Sequence, residues 1–402
     1  MRVIVIGGGA AGFFAACSVK HHHPDAEVVI LEKSGKLLAK VRISGGGRCN
    51  VTHAQLNIRK LAANYPRGGQ FLRKAFERFS VKDTIAWFAQ RGVQLRAEGD
   101  GRMFPVSDSS ETIIRCMMEE AARCAVQINR LSGMVAVELR PTGFRVLMEQ
   151  GGSMQADRVI VATGGQPNAR GVDWLHALGH VTVPPVPSLF TFNMPQEPVR
   201  QLMGVVAEPV RARITGTRLE SVGPLLITHW GMSGPAILKL SAFGARVVHE
   251  LGYHFTLQLN WLGETGEGEV GKLLSKEDQQ RKLARNANPF LIPHRLWEFL
   301  LAKADIAPDR PWGEVGKKDR NRLMDLLTND RYAVVGKTTF KEEFVTAGGV
   351  ALEQVDPHTM QSRVVPGLYF AGEVLDIDGI TGGFNFQAAW TTGFLAGKLG
   401  GG

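Results

Sequence analysis

Three glycines near the start of the sequence have the spacing that brings a backbone close to a phosphate group. Gly7, Gly9 and Gly12 form a G-x-G-x-x-G motif between a short β-branched run and a helical stretch. In this setting the first glycine permits a tight turn, the second lets a pyrophosphate touch the backbone, and the third lets helix and strand pack closely. The N–H groups of the first helical turn, including those of Ala10 and Ala11, add a positive dipole. The motif therefore predicts a dinucleotide site.

An acidic residue completes the pattern for an adenosine ribose. A second β-branched run, Val28 to Leu31, ends in Glu32, twenty residues after Gly12. Strand, glycine turn, helix and strand form a βαβ unit of about thirty residues, in which an acid at this position accepts hydrogen bonds from the ribose hydroxyls. Glu32 should also repel a 2′-phosphate, which the neighbouring Lys33 offsets only in part. The alternative, a glycine turn without a ligand, is disfavoured because all these features occur together.

The choice between NAD and FAD depends on the C-terminal part of the sequence. A nicotinamide dehydrogenase would place its substrate residues after one complete dinucleotide-binding domain, whereas here a strand of that domain ends at Gly372 and Glu373, near residue 402. An acid at that strand end can bind the ribitol of a flavin. The next helix start can stabilise the negative charge that develops near the flavin N1/C2 carbonyl on reduction. Its residues are Gly382, Gly383, Phe384 and Asn385. We therefore predict tightly bound, non-covalent FAD.

Two further glycine-rich loops are candidates for cofactor contacts. The loop over residues 44–50 contains three successive glycines, whose N–H groups can form a concavity for an anion. Arg48 adds positive charge to it. We expect this loop to hold the FAD diphosphate or to face the isoalloxazine, through Ser44, Gly45, Gly46, Gly47, Arg48 and Asn50. A buried strand over 158–162 closes on another such loop, Thr163, Gly164 and Gly165.

Two residues are candidates for catalysis. Arg48 is the first, because of its charge in the glycine loop. His229 precedes a helix start at residues 233–235, where Ser233 is the expected N-cap. The titration range of histidine suits proton delivery near neutral pH, so His229 could be the general acid for reduction of a C=C bond. The alternative is a histidine that only caps or packs.

The remaining reactive side chains predict no metal centre and no redox thiol. The three adjacent histidines at 21–23 are expected in a solvated loop, because neighbouring imidazoles point in different directions. Cys49 has no partner cysteine nearby in sequence and is expected to be a small packed residue. No second G-x-G-x-x-G motif occurs in a βαβ setting, so NAD(P)H would have to bind transiently at the substrate side to reduce the flavin.

The elements that position these residues predict an α/β fold with an insertion. A proline-rich run, 183–187, is a boundary because consecutive prolines cannot continue a helix or a central strand. The glycine-rich segment 263–268 is an expected flexible joint. The predicted domains are a Rossmann-type FAD-binding domain, residues 1–188 and 342–402; an inserted β-rich, barrel-like substrate domain, residues 189–264 and 331–341; and a small helical domain, residues 265–330.

Composition and charge limit the class of partner. The 402 residues include four cysteines without a C-x-x-C pair, which disfavours a disulfide scaffold and fits a reducing cytoplasm. The net charge of +9 is concentrated, because residues 59–102 hold ten basic and four acidic residues. Such a stretch is a phosphate-tracking face or, more often, the solvated side of amphipathic helices, so nucleic acid is the less favoured partner. The uncharged run from Val3 to Val19 contains four glycines and predicts neither an export signal nor a membrane span.

Longer motifs resemble the HI0933-like (BaiN/RdsA-type) FAD-dependent flavoproteins. The resemblance is carried by residues 43–52, 101–105, 228–238, 345–350 and 367–383. It implies FAD bound by a two-dinucleotide-binding-type Rossmann domain, interrupted by a β-barrel-like domain and a small helical domain. It also implies an outline similar to fumarate-reductase-type flavoproteins. Some members are NAD(P)H-linked reductases of activated C=C bonds, including those of dehydrogenated bile acids.

A few positions depart from the pattern of that family. Arg42 stands where an apolar residue is common, His53 where asparagine is common, and Phe384 and Phe386 where tyrosine and leucine are common. Phe384 removes a phenol near the expected flavin, which disfavours a tyrosine proton donor there. The overall prediction is an FAD-dependent oxidoreductase that reduces an activated C=C bond in a small molecule with NAD(P)H. The alternatives are an FAD-containing RNA-binding or tRNA-modifying protein and a non-catalytic flavin redox sensor.

Overall fold

A computed structural model describes residues 1–165, 173–338 and 345–400, which contain twenty strands and fourteen α-helices. The strands are β1 Arg2–Ile6, β2 Glu27–Leu31, β3 Thr52–His53, β4 Leu95–Ala97, β5 Arg102–Pro105, β6 Gln127–Asn129, β7 Met134–Leu139, β8 Phe144–Met148, β9 Ser153–Ala156, β10 Arg158–Val161, β11 Thr182–Ser188, β12 Thr191–Asn193, β13 Val206–Ile214, β14 Glu220–Ile227, β15 Gly231–Ser233, β16 His254–Asn260, β17 Asp330–Val335, β18 Lys337–Thr338, β19 Val345–Val350 and β20 Leu368–Phe370. The helices are α1 Ala10–His22, α2 Ala39–Gly47, α3 Ile58–Ala62, α4 Gly69–Phe76, α5 Val81–Ala89, α6 Ser110–Arg123, α7 Asp173–Ala177, α8 Pro235–Phe243, α9 Ala245–Glu250, α10 Glu267–Leu274, α11 Glu277–Gln280, α12 His294–Lys303, α13 Lys317–Asn329 and α14 Phe384–Gly397.

The chain forms two compact units. One contains residues 1–188 and 340–402, and the other contains residues 189–339. Each unit has its own cluster of buried apolar side chains. The division of the inserted segment into a β-rich and a helical domain stays a prediction, and its junction between residues 341 and 342 lies outside the described residues.

A five-stranded parallel sheet forms the centre of the first unit. Its strand order is β20-β10-β1-β2-β6. Strands β1, β2, β10 and β20 are almost continuously apolar because both faces of such a sheet are covered, whereas the edge strand β6 is polar at two of its three residues. Helix α1 is buried from Ala11 to Val19, and the Ser18 hydroxyl donates to the Phe394 carbonyl of α14 at 2.7 Å. The predicted Rossmann-type fold is confirmed.

Smaller sheets surround this centre in the first unit. Strands β7 and β8 form an antiparallel hairpin, as expected from two strand-like runs, 134–140 and 143–148, that meet at Pro141 and Thr142; β9 adds a third antiparallel strand. The predicted boundary at the proline run lies next to the division between the units at residue 188; the prolines themselves lie in β11, which pairs with β19 in a two-stranded sheet and is not a central strand. The two-stranded sheet tolerates them because its register shifts between Val183 and Val186, so Pro184 and Pro185 lie at a bulge.

A seven-stranded antiparallel sheet forms the centre of the second unit. Its order is β17-β16-β13-β14-β15-β12-β18. Apolar side chains of α10, α12 and α13 pack with this sheet into one cluster. Asp330 lies where the sheet and the helices meet. It is 1% exposed and accepts hydrogen bonds from Trp261, Lys303 and Tyr332. Sheet and helices therefore share a core.

Two local expectations for helix ends are corrected by the structure. Ser233 is the last residue of β15 rather than an N-cap; the cap of α8 is Gly234, with φ at 90°, and Pro235 follows at the first helical position. Helix α1 continues to His22, so the first two of the three histidines lie in its last turn. Among the described residues no cluster of acidic, histidine and cysteine side chains could hold a metal ion. No helix in the described ranges is both long enough and apolar enough to span a bilayer.

Burial of His180 predicts weaker folding in mild acid. His180 is 3% exposed, and its Nε2 lies 2.7 Å from the Ser362 hydroxyl. Desolvation lowers the pKa of this imidazole below 6.5. Below pH 6.5 this histidine is therefore protonated more fully in the unfolded chain than in the folded chain. As the pH is lowered, the free energy of unfolding falls by at most about 1.4 kcal/mol per pH unit for this group.

Urea unfolding of the wild type and of His180→Gln between pH 8 and pH 5 measures this effect. The variant should be less stable at pH 8, because it loses the histidine packing, but it should lose less stability between pH 6.5 and pH 5. His358→Gln, at an exposed histidine, is the matched control and should keep the wild-type slope. Equal slopes for the wild type and His180→Gln would contradict the role of His180.

Candidate cofactor site

The predicted cofactor residues follow the carboxyl ends of four parallel strands. Residues 7–9 follow β1, Glu32 follows β2, residues 163–165 follow β10, and residues 372–373 follow β20. Since β1 pairs with β2 on one side and β10 on the other, these loops meet where the strand order reverses. Open α/β sheets bind ligands at this edge. The fold therefore brings together residues that are more than 360 positions apart in sequence.

The loops at this edge approach each other at backbone distance. A Cβ built on Gly12 would lie 1.9 Å from the Gly7 carbonyl oxygen, and one built on Gly7 would lie 2.3 Å from the Ala162 carbonyl oxygen. Gly7 also has φ at 117°, which side-chain-bearing residues rarely adopt. A Cβ on Gly372 would lie 2.8 Å from the Ala11 methyl group. Glycine is required at these positions by the packing of the turn after β1, the start of α1 and the segments after β10 and β20.

The Glu32 carboxylate is held in place by backbone N–H groups. Its Oε2 accepts from Gly8 N and its Oε1 accepts from Ser34 N, both at 2.8 Å. The side chain is half-buried, while Lys33 next to it is exposed. A carboxylate fixed in this way keeps lone pairs for two more donors, which suits a ribose diol.

Removing the Glu32 carboxylate should weaken FAD binding. We expect Glu32→Gln to raise the FAD dissociation constant about tenfold, because it replaces an ionised acceptor with a neutral amide. Glu27→Gln is a matched control, since Glu27 is an exposed acid at the start of β2, the strand that Glu32 follows. Titration of the apoproteins with FAD, followed by flavin fluorescence, gives the constants. An unchanged constant for Glu32→Gln would refute the ribose role.

The start of α1 has the properties of a cradle for a diphosphate. Its N-cap, Gly9, has no side chain, and the first turn contains no acid. A Cβ built on Gly9 or on Gly164 would meet no atom within 4 Å, so both backbones border open space. The first N–H groups of a helix have no partner within the helix. The residues present therefore fit the dinucleotide that the motif predicts.

In the glycine loop at the end of α2, the charge of Arg48 is paired, whereas the sequence predicted a free cation. The loop is non-helical from Ser44 to Gly46, and a Cβ on Gly46 or Gly47 would meet open space. The Arg48 guanidinium, however, donates to Glu98 at 2.7 Å and stacks over the ring of Phe104 at 4.0 Å. Its charge is compensated within the protein, so the loop offers N–H groups rather than a free cation. Cys49 is fully buried, and desolvation raises the pKa of its thiol to about 12.

A second set of contacts surrounds Glu373 at the end of β20. Its Oε1 accepts from Thr346 N at 2.8 Å, and its Oε2 accepts from Lys40 Nζ at 2.5 Å. The Thr346 hydroxyl is buried and has no hydrogen-bond partner in the part of the chain that the structure describes. A buried hydroxyl of this kind is costly unless a ligand or water satisfies it. Thr346 and Lys40 join the candidate site; neither was predicted to contact the cofactor, although Thr346 lies in the motif 345–350 that carries the family resemblance.

The start of α14 is held by contacts from three other segments. Gly383 is its N-cap, and in the amide orientation that satisfies both neighbours Asn50 accepts from Gly383 N and donates to the Thr52 carbonyl, each at 3.0 Å. The Tyr65 hydroxyl donates to the Phe384 carbonyl at 2.6 Å. The Asn385 amide bonds both backbone groups of Gly379 and closes the loop before the helix. Asn50 and Asn385 thus position the helix start.

Comparison with known proteins decides the family. The profile of the HI0933-like protein Rossmann domain matches residues 1–399. The chain belongs to the HI0933-like family. This is a family of FAD-dependent oxidoreductases, so the resemblance noted in the sequence and the assignment of FAD are confirmed.

Two relatives of this HI0933-like chain have names that describe a reaction. The 3-dehydro-bile acid delta(4,6)-reductase of Clostridium scindens is 30% identical over 385 residues, which cover 93% of this chain and 92% of that protein. The ribosomal RNA dihydrouridine synthase of Escherichia coli strain K12 is also 30% identical, over 91% of this chain and 90% of that protein. Among solved structures, 3-ketosteroid-delta4-(5alpha)-dehydrogenase of Rhodococcus jostii RHA1 has a TM-score of 0.51 at 12% identity and covers 99% of this chain and 96% of its own. That likeness supports the fold.

A buried ion pair lies behind the α14 helix start of this HI0933-like protein. Asp378 is fully buried and accepts hydrogen bonds from the guanidinium of Arg67 and from Ser188. Burial raises the pKa of the Asp378 carboxyl, and Arg67 opposes this shift. The Ile380 N–H also donates to the Asn64 carbonyl at 3.0 Å. The segment 64–68 therefore braces the loop before α14.

The second catalytic candidate lies in the other unit of the HI0933-like chain. His229 is exposed in the turn between β14 and β15, where its carbonyl accepts from Arg200 Nε at 2.8 Å. Its ring lies edge-on to Trp230, with the centroids 4.2 Å apart. The candidate proton donor is therefore accessible to a ligand on the surface of its own unit. His53, in the first unit, stacks on Phe384 at 4.7 Å, and desolvation lowers its pKa.

Proposed function

We propose that this protein reduces a C=C bond that is conjugated with a carbonyl group, with FAD as hydride carrier and NAD(P)H as reductant. The supporting observation is the chemistry shared by two relatives of equal identity and nearly full coverage. One is named for reduction of 4,6 double bonds in a 3-dehydro bile acid, and the other for formation of dihydrouridine, in which the uracil C=C beside a carbonyl is reduced. Both substrates are electron-poor alkenes.

Some residues of the site would bind FAD, and others would stabilise the negative charge that develops on the flavin. FAD supplies hydride transfer when it is bound. We propose that the N–H groups of Gly9 to Gly12 bind its diphosphate, that Glu32 binds the ribose, and that Glu373 with Thr346 binds the ribitol. The α14 N-terminus at Gly383 would stabilise negative charge at the flavin pyrimidine ring. In the same proposal Lys33, the loop 44–50, the loop 163–165 and Asn385 complete the cofactor contacts.

The two catalytic candidates have different roles in this proposal. His229 delivers the proton that the substrate carbon needs after hydride transfer, and it can reach a ligand because it is exposed. Arg48 acts through the glycine loop, which its ion pair with Glu98 and its stacking on Phe104 hold in place. The substrate alkene gains one hydride and one proton, and NAD(P)H is oxidised to NAD(P)⁺.

Anaerobic stopped-flow mixing tests the proposal. NADH or NADPH should bleach the flavin absorbance of the FAD-loaded protein, and a cyclic enone should restore it at a stoichiometry of one alkene per flavin. Saturated ketones of the same ring size are the control and should leave the flavin reduced. No bleaching by either nucleotide would favour a flavin sensor without turnover. Bleaching without reoxidation by any enone would contradict the substrate class.

A second candidate function is reduction of the C=C bond of a uridine in RNA, with the same cofactor and reductant. It is favoured by the names of two relatives, one of them 27% identical, from Haemophilus influenzae. The assay is the same with uridine-containing RNA in place of the enone, and formation of dihydrouridine is read by mass spectrometry. Reoxidation by RNA but by no small enone would favour this candidate over the first.

A further inference from the structure

The basic stretch of the first unit divides into paired and unpaired cations. Of the ten basic residues between 59 and 102, four form ion pairs; these are Arg67 with Asp378, Arg91 with Glu120, Arg96 with Asp108 and Arg102 with Glu98 and Asp100. For the other six the described residues provide no acidic partner; these are Arg59, Lys60, Arg73, Lys74, Arg78 and Lys82. The positive charge is therefore concentrated on α3, α4 and the start of α5.

Three of the unpaired cations line one cleft, which we call the α3–α4 cleft. Its volume is about 1120 Å³, and Arg59, Arg73 and Lys74 form one wall. The opposite wall is the segment 352–363, which contributes Arg363, a cation paired with Asp356 at 3.5 Å. Glu353 is the acid among the described lining residues, so the cleft has an excess of positive charge. Its volume exceeds the usual range of about 300–1,000 Å³ for small-ligand pockets.

The cleft also has an apolar surface between the cations. Phe71 and, on the opposite wall, Leu352 are half-buried, while Val355 next to Leu352 in the lining is buried. A flat aromatic base can stack or pack against such side chains, while guanidinium and ammonium groups bind phosphate oxygens. Unpaired cations close together repel each other, and this cost is relieved when a ligand with several anionic groups displaces their counterions. Charge and apolar surface together match a nucleotide.

We propose that the α3–α4 cleft is a second nucleotide-binding site, separate from the FAD site. Its cations bind phosphate groups, and its apolar walls bind a base. None of its lining residues belongs to the predicted FAD contacts. Two sources share this chemistry, the dinucleotide NAD(P)H and a segment of RNA. The site goes beyond the proposed function, because its existence does not depend on which alkene is reduced.

Binding to the FAD-loaded protein tests the site with two probes. The probes are NADPH and a fluorescently labelled single-stranded RNA of twelve nucleotides. The test variant is the triple substitution Arg59→Gln, Arg73→Gln and Lys74→Gln. The matched control is Lys60→Gln, Arg78→Gln and Lys82→Gln, which removes the same charge from α3–α5 at unpaired residues outside the cleft. Flavin absorbance and thermal unfolding confirm that both triple variants are folded.

At least one probe should bind, and the cleft variant should weaken that binding tenfold or more. The control variant should weaken it less than threefold. If RNA is the ligand, the slope of log K against log salt concentration should also become less negative by about 2 in the cleft variant, because three phosphate contacts on a single strand are lost. Binding of NADPH alone assigns the dinucleotide, and binding of RNA alone assigns the polymer. If the cleft variant fails to fold, Arg363→Gln on the opposite wall replaces it and should weaken binding at least threefold.

Two results would overturn the proposal. One is that neither probe binds, and the other is that the cleft and control variants weaken binding equally, which would mean that only net charge matters. Failure of the proposed function is distinguishable, because enone reduction can be driven with dithionite in place of NAD(P)H. That reaction does not need the cleft, so its absence in the wild type contradicts the reductase and leaves the binding result unaffected.

Discussion

Gly12→Ala should yield a protein without FAD, whereas Gly9→Ala should yield a stable protein that binds FAD weakly. The two glycines belong to one motif, but the space around them differs. A Cβ on Gly12 would lie 1.9 Å from the Gly7 carbonyl oxygen, so α1 and the turn after β1 would have to separate. Overpacking of this kind costs about 1–3 kcal/mol, and more where backbone must move. The displaced turn carries the N–H groups that we assign to the diphosphate.

Gly9 is the matched control because its Cβ would enter empty space. No atom lies within 4 Å of that position, and Gly9 has φ at −92°, which alanine adopts without strain. The added methyl group would instead occupy the volume that we assign to the pyrophosphate. We therefore expect a free energy of unfolding close to that of the wild-type apoprotein, and an FAD dissociation constant raised about tenfold.

Two measurements separate the two effects. The ratio of flavin to protein absorbance after purification reports FAD retention, and urea unfolding of the apoproteins reports stability without the cofactor. Gly12→Ala should reduce both FAD retention and apoprotein stability, whereas Gly9→Ala should reduce FAD retention alone. Normal FAD retention in Gly12→Ala would show that helix and strand can separate without cost to the site. Unchanged FAD affinity in Gly9→Ala would place the diphosphate elsewhere.

The sequence predicts local features of this protein well, because the physical causes of those features lie within a few residues. The βαβ unit with Glu32 at its end, the hairpin of β7 and β8, and the family follow from short motifs and periodicity. Ser233 was wrongly predicted as a cap because the choice depends on the pairing of β15, a contact between strands. A pattern within one segment does not contain that information.

The chemistry of individual charges is less predictable, because it depends on partners that are distant in sequence. Arg48 looks like a free cation in a glycine loop, but Glu98 lies fifty positions away and neutralises it. Arg67 looks like one more member of a basic surface, but Asp378 lies 311 positions away. Both partners are ordinary acids in their own segments. Only the folded chain shows which cations of residues 59–102 are left for a ligand.

The Arg67–Asp378 pair makes the second strong prediction, which separates stability from positioning. Asp378→Asn should destabilise the protein by about 3–5 kcal/mol, because it leaves the Arg67 charge buried without its partner. Replacing both residues with leucine should recover most of this loss, since a buried ion pair is often worth no more than apolar residues of similar volume. Stability alone would then be nearly restored in the double variant.

FAD binding should not be restored in the same double variant. The ion pair fixes the loop before α14, together with the Asn64–Ile380 and Tyr65–Phe384 hydrogen bonds. Two leucines can fill the volume but cannot fix the direction of the loop, because apolar contacts are not directional. The helix start at Gly383 should therefore shift, with an FAD dissociation constant raised about tenfold and a displaced flavin absorption band.

A second buried ion pair in the same unit provides the control. The side chains of Arg91 and Glu120 are 16% and 4% exposed, which is close to the 14% and 0% of Arg67 and Asp378. Glu120→Gln should cost stability to a similar degree, and the Arg91→Leu, Glu120→Leu double variant should recover it with wild-type FAD affinity. If the Arg67→Leu, Asp378→Leu variant also binds FAD as the wild type does, then the pair serves stability alone. If both double variants regain stability but only Arg67→Leu, Asp378→Leu has a lower FAD affinity, then the Arg67–Asp378 pair positions the flavin site.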